Sequence, residues 1–162
     1  MKTQRGFLMA FALAFAIFTP LHADEALDGF KKEMGALEAS IKKQEDALKE
    51  NPLGGIAMIR SIVTQLKAVK TDALPDDLKS GYMEFVVAIS KMAEVIKDWP
   101  EKTEDMQAFI IKKMGEDPKY MDAFSVKMTA VEKEMQPAVA KLDALGKKYK
   151  IEGLDTISPG KK

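Results

Sequence analysis

Apolar side chains in this chain recur at alternating spacings of three and four residues, in four separate segments. That spacing lays one stripe along an α-helix and does not suit the two-residue alternation of a half-buried strand. The first stripe is the clearest: Leu27, Phe30, Met34, Leu37 and Ile41 continue through Gln44 to Leu48. Asn51-Pro52-Leu53-Gly54-Gly55 then supplies a stop and a tight connection, which predicts a first helix over about 25–50.

In the second segment Ile56, Ile59, Val63 and Leu66 share a stripe with Met58, Ile62 and Val69 beside it, ending near Thr71. Pro75 suits the first position of a third helix, where its missing N–H is not needed, and Asp76 and Asp77 complement the positive end of the helix dipole. Its stripe is Leu78, Tyr82, Phe85, Ile89, Met92 and Ile96, prolonged by Trp99 and ended by Pro100. Thr103 reads as the N-cap of a short helix with Met106, Phe109, Ile110 and Met114 inward, closed by Gly115. Asp117-Pro118 reads as the start of the last helix, whose stripe runs from Met121, Phe124, Met128, Val131 and Met135 through Ala138, Leu142 and Leu145 to Tyr149. Pro137 interrupts that stripe, and a bend is expected near Met135 to Ala138. Short connections make sequential helices antiparallel neighbours. The expected fold is therefore all-α, an up-down-up-down antiparallel four-helix bundle with an additional short helix between helices 3 and 4.

The first residues read differently. Lys2 and Arg5 precede an unbroken apolar run from Phe7 to Phe18, too short to span a bilayer and followed by Thr19 and Pro20. This is the order of a secretory signal peptide, with cleavage expected after Ala23. The expected organisation is a signal peptide over 1–23, a bundle domain over 24–151 and a loose tail over 152–162, in a periplasmic or secreted protein with no membrane span after cleavage. Removing Lys2 and Arg5 from 25 basic groups leaves 23 against 25 acidic ones, a net charge of −2. A surface so nearly neutral has no electrostatic reason to bind nucleic acid.

The chain has no cysteine, and its one histidine, His22, falls in the leader. Disulfide frameworks, Cys/His zinc sites, thiolate nucleophiles and imidazole-based triads are therefore unavailable. Di-metal bundles need Glu-x-x-His pairs, so Glu33, Glu45, Glu84, Glu94 and Glu132, which sit off the stripes, read as a solvated face. Gly54-Gly55 lacks the lysine and hydroxyl of a phosphate loop. Met106, Met114, Met121, Met128 and Met135 read as packing residues, and no Met-x-Met run suggests copper. Gly29, Gly35 and Gly81 inside helices either allow close helix approach or lie on the surface.

An antiparallel bundle of this size behind an export signal resembles the cytochrome b562 and cytochrome c-prime families. Met34, in Phe30-Lys31-Lys32-Glu33-Met34, stands where the b562 type carries an axial methionine early in helix 1. The resemblance implies a second ligand, a histidine near the end of the last helix, with two attaching cysteines before it in the c-prime type. Here that stretch is Leu142-Asp143-Ala144-Leu145-Gly146, followed by Lys147-Lys148-Tyr149, so the similarity supports the fold and argues against the haem chemistry. Met34 with Lys147 or Tyr149 as second ligand is the remaining route to a tetrapyrrole. The sequence reading is thus a non-enzymatic, cofactor-free binding or structural module. Its partner is a protein or a small apolar ligand, taken in a groove formed by Met121, Phe124, Met128 and Trp99. A carrier or sensor of an apolar ligand or haem-like tetrapyrrole is the alternative, and a bundle can also form a homodimer through an exposed helix face.

Overall fold

A computed structural model describes residues 24–45 and 54–152. All regular structure among them is helical: α1 over 24–45, α2 Gly54–Ala68, α3 Asp76–Val95, α4 Thr103–Glu116 and α5 Tyr120–Tyr149. The expected signal peptide, the end of the first helix and residues 153–162 of the expected tail lie outside the described residues. No described helix is long and apolar enough to cross a membrane.

The apolar stripes converge. Phe30, Met34, Leu37 and Ile41 of α1 join Ile62, Val63 and Leu66 of α2, and Leu78, Tyr82, Phe85, Ile89 and Met92 of α3. Met135, Leu142 and Leu145 of α5 complete the same buried cluster. Each such side chain contributes on the order of 1.5–3 kcal/mol through removal of apolar surface from water. Tyr82 is the polar exception that the core accommodates. Its hydroxyl donates to the Leu66 carbonyl at 2.8 Å, and its ring stands edge-on to Phe30 with centroids 5.1 Å apart. Burial, reinforced by the negative charge of Glu33, pushes the phenol well above its ordinary value, so it stays a donor.

Polar ties set how the helices lie. Glu33 Oε2 of α1 accepts the Lys70 amide just past α2 at 3.2 Å, and Gln44 Nε2 donates to Ser61 Oγ at 3.5 Å. Glu33 is therefore half-buried and engaged rather than part of a freely solvated face. Between α3 and α5 three ion pairs form a ladder: Asp77 with Lys148 at 2.6 Å, Glu84 with Lys141 at 2.6 Å and Lys91 with Glu134 at 2.8 Å. The rungs are seven residues apart on each helix and ascend on one as they descend on the other, so α3 and α5 run antiparallel in one register. Seven-residue spacing is that of helices packed side by side at a shallow angle. Gly81 lets the two approach closely, because a Cβ there would collide with Leu145 Cδ1. Gly29 and Gly35 have open space where a Cβ would stand, so of these three Gly81 alone is a packing glycine.

Several helix ends differ from the sequence expectation. Gly54 and Gly55 belong to the first turn of α2 rather than to the connection before it. At its other end α2 stops at Ala68, short of Thr71, where Val69 N–H turns back to the Leu66 carbonyl and Glu33 takes the next amide. Pro75 is the N-cap of α3, not its first helical residue, and its carbonyl accepts the Lys79 amide at 2.9 Å. Thr103 is the first residue of α4, with Lys102 in the cap position and Glu104 and Asp105 meeting the dipole in place of a side-chain cap. Asp117 does not start α5. Its Oδ1 accepts the Lys119 amide and its carbonyl the Tyr120 amide, closing a turn around Pro118 before the helix begins at Tyr120. Pro137 does not break α5, which passes through it as one element. Both Pro137 and Lys133, whose carbonyl loses its amide partner, are exposed residues, so the lost hydrogen bond falls on the solvent side of the helix. The helix ends with Lys150 in the left-handed region at φ 53°, the Ile151 amide returning to the Gly146 carbonyl at 2.9 Å and the Ile151 side chain buried.

Candidate binding site where α3, α4 and α5 meet

Ile96, Trp99 and Met106 are buried but stand outside the main core cluster. Trp99 belongs to an aromatic group built where the chain leaves α3, runs through α4 and enters α5. Trp99 is its centre. Its ring lies 4.7 Å from Phe124, 5.4 Å from Phe109 and 6.5 Å from Tyr120, centroid to centroid, and Phe109 meets Tyr120 edge-on at 6.2 Å. Such tilted and edge-on pairs satisfy the ring quadrupoles better than flat stacking. Trp99 is 5% exposed, yet its indole Nε1 has no hydrogen-bond partner. A buried donor without an acceptor costs on the order of 1–3 kcal/mol, and native proteins keep few of them.

The segment carrying Trp99 is pinned from α2. Arg60 Nη2 donates to the carbonyls of Ile96 at 2.8 Å and Trp99 at 2.6 Å, with Lys97 at 3.5 Å, and Nη1 donates to Pro100 at 3.0 Å. These carbonyls follow the end of α3 at Val95, where the helix dipole is negative and the chain leaves main-chain acceptors without helical amides. A planar five-donor fork serves several of them at once; an ammonium does not. Arg60 was missed in the sequence reading. One signal was available: the chain uses arginine twice, at Arg5 and Arg60, and lysine everywhere else.

α4 covers this group lightly. Met106 is its one buried side chain, while Ile111 and Met114 are exposed at 64% and 44%. The expectation that Met114 packs inward is thus corrected: the last turn of α4 is largely exposed, so Met114 stands in water although it keeps the phase of Met106 and Ile110. At its rim Lys113 lies 5.9 Å from the Phe109 ring centre and donates to Glu116 at 3.0 Å. That hydrogen bond, then the attraction of each charge for the other, holds the Lys113 ammonium above its ordinary value and the Glu116 carboxyl below its own.

Of the four residues expected to line a groove, the structure brings Trp99 and Phe124 into ring contact. Met121 is half-buried next to Tyr120, and Met128 packs against the main core instead. Met34 is fully buried within that core on α1. The two side chains considered as its partners in ligation lie elsewhere in function: Lys147 is exposed, and the Tyr149 hydroxyl donates to Asp77 Oδ1 at 2.6 Å. Among the described residues no three His, Cys, Asp or Glu side chains are grouped as a metal site would need. In comparisons with known protein families, curated proteins and solved structures, the chain has no match.

Proposed function

We propose that this chain is an exported, non-enzymatic, cofactor-free binding module. In this reading α1, α2, α3 and α5 form an up-down-up-down antiparallel four-helix bundle of the kind seen in the cytochrome b562-like families, without their ligand set. α4 is the extra helix between its last two members, and the bound species is an apolar or aromatic molecule carrying a hydrogen-bond acceptor, held at Trp99 beneath α4. Export rests on the basic start and apolar run before Ala23. The binding site rests on one observation, the buried and unpartnered indole N–H of Trp99 inside a ring of Phe109, Tyr120 and Phe124. A ligand acceptor brought to that N–H offsets the desolvation of the indole, and the aromatic faces supply the apolar contact. α4 is the element that gives way to admit it, since one buried side chain and the Phe109 ring hold it down.

Trp99 is the only tryptophan, so its indole gives a single N–H resonance that reports on the site alone. Titration with 2-naphthoate, an aromatic body with a carboxylate acceptor, is expected to move that resonance downfield in a saturable manner. Trp99→Phe, which keeps an aromatic ring and removes the donor, is expected to weaken naphthoate binding by calorimetry about tenfold. An indole resonance unmoved at millimolar naphthoate, or binding unaffected by Trp99→Phe, refutes the assignment.

A further inference from the structure

On the side of α3 turned away from the core, Met83 and Val87 stand one turn apart and are 46% and 61% exposed. Pro137 and Ala138 of α5 lie beside them, and the four line a shallow groove of about 530 Å³ between the two helices. The groove runs along α3 from Ser80 to Lys91, and two ion pairs cross from α3 to α5 along it, Glu84–Lys141 and Lys91–Glu134, a heptad or roughly 10 Å apart, with Val87 between them and Met83 just beyond Glu84.

The order of charge reverses between these two rungs. Along α3 the corners read acidic then basic, and along α5 at the same heights basic then acidic. The four side chains, each about half exposed, therefore make a square of alternating sign around an apolar centre. Such a square is its own complement. A second copy turned about a two-fold axis lying in the face and parallel to the helices sets Glu84 over Lys141 and Lys91 over Glu134. An axis in the face but across the helices sets Glu84 over Lys91 and Lys141 over Glu134. Either way every acid meets a base and the apolar centres meet each other. A surface of one sign, such as a nucleic acid or an acidic bilayer, meets repulsion at two corners.

We infer that this α3–α5 face is the surface on which a second copy of the chain docks, with Val87, Pro137 and Ala138 between the four charges and Met83 at the margin beyond Glu84. It is distinct from the Trp99 site and does not depend on it. Two turns of two helices are small beside the roughly 800 Å² per partner of a tight interface, so the dimer is expected to be weak and concentration-dependent.

Sedimentation of the protein across the micromolar range at low salt is expected to show a monomer–dimer equilibrium. Val87→Glu puts a helix-compatible charge at an exposed position. It should leave the circular dichroism unchanged and weaken association by about tenfold or more. A second variant inverts the square, combining Glu84→Lys, Lys91→Glu, Glu134→Lys and Lys141→Glu, and keeps both internal ion pairs. It is expected to dimerise with itself as the original chain does, yet to form no mixed dimers with it, as read by energy transfer between differently labelled chains. A chain monomeric at every concentration overturns the inference. So does a Val87→Glu protein that associates as before, or an inverted chain that mixes statistically with the original.

Discussion

Gly81 offers the sharpest test of how α3 and α5 are held. Replacing a glycine inside a helix by alanine ordinarily stabilises it by about 0.8–1.0 kcal/mol, because the unfolded chain loses freedom and the helix gains a good former. At Gly35 the added methyl meets open space, so Gly35→Ala should show that gain in full. At Gly81 the same methyl collides with Leu145 Cδ1, and Leu145 is itself buried in the main core at 9% exposure. The Lys141 side chain, at 3.6 and 3.7 Å, is in ordinary contact and gives no relief by moving. Overpacking of this sort costs about 1–3 kcal/mol. The propensity gain is common to both variants and cancels in their difference, so Gly81→Ala should be about 1–3 kcal/mol less stable than Gly35→Ala. Urea midpoints at unchanged slope measure that difference directly. Trimming the obstacle supplies the control. Leu145→Ala alone leaves a cavity and costs about 2–5 kcal/mol, but combined with Gly81→Ala it should cost less than the sum, by about 1 kcal/mol or more. Equal stabilities of Gly81→Ala and Gly35→Ala, or strict additivity in the cycle, would show that the helices do not meet at this glycine.

Two further outcomes follow from the polar ties. Arg60→Lys keeps the charge and loses the fork that serves Ile96, Trp99 and Pro100, so it should destabilise by about 1.5–3 kcal/mol and shift Trp99 emission to the red as its segment loosens; emission and stability equal to the original chain would refute the anchoring role. Asp77 has its carboxyl lowered from 3.8 to about 2, first by the hydrogen bond from Lys148 and then by that from Tyr149, so the folded state binds the proton less well than the unfolded one. Its contribution is full above pH 4 and is lost as pH falls from about 4 towards 2; thermal melts of Asp77→Asn should therefore decline less over that window than those of the original chain, and parallel declines would count against the tie.

The interior of the fold was legible because burial depends on a period that the chain displays. Phe30, Met34, Leu37 and Ile41, or Leu78, Tyr82, Phe85 and Ile89, follow one another at helical spacing and are buried where they were expected to be. The ends were less so. Thr103 and Asp117 carry good capping chemistry, but a cap is worth only about 1 kcal/mol, and neighbouring starts differ by less than the tertiary packing decides. Arg60 was illegible for another reason. Its acceptors are main-chain carbonyls some forty positions further on, and a carbonyl leaves no mark in a sequence. The candidate site was half visible: Trp99 and Phe124 were among the four residues expected to line a groove, while their meeting with Phe109 and Tyr120 depends on the path of α4 between them. Met114 shows the limit of periodicity, since it keeps the helical phase of Met106 and Ile110 and is nonetheless exposed.

The ladder between α3 and α5 also decides against misalignment. Helices with repeating seams can slide by two turns and still bury their apolar stripes, so burial alone would tolerate the slip. If α5 shifted one heptad one way, Glu84 would face Glu134 and Lys91 would face Lys127; shifted the other way, Lys91 would face Lys141. Because the Lys91–Glu134 rung is wired opposite to the other two, both sliding errors set like charges against each other, and the native alignment is the one that leaves every rung neutral.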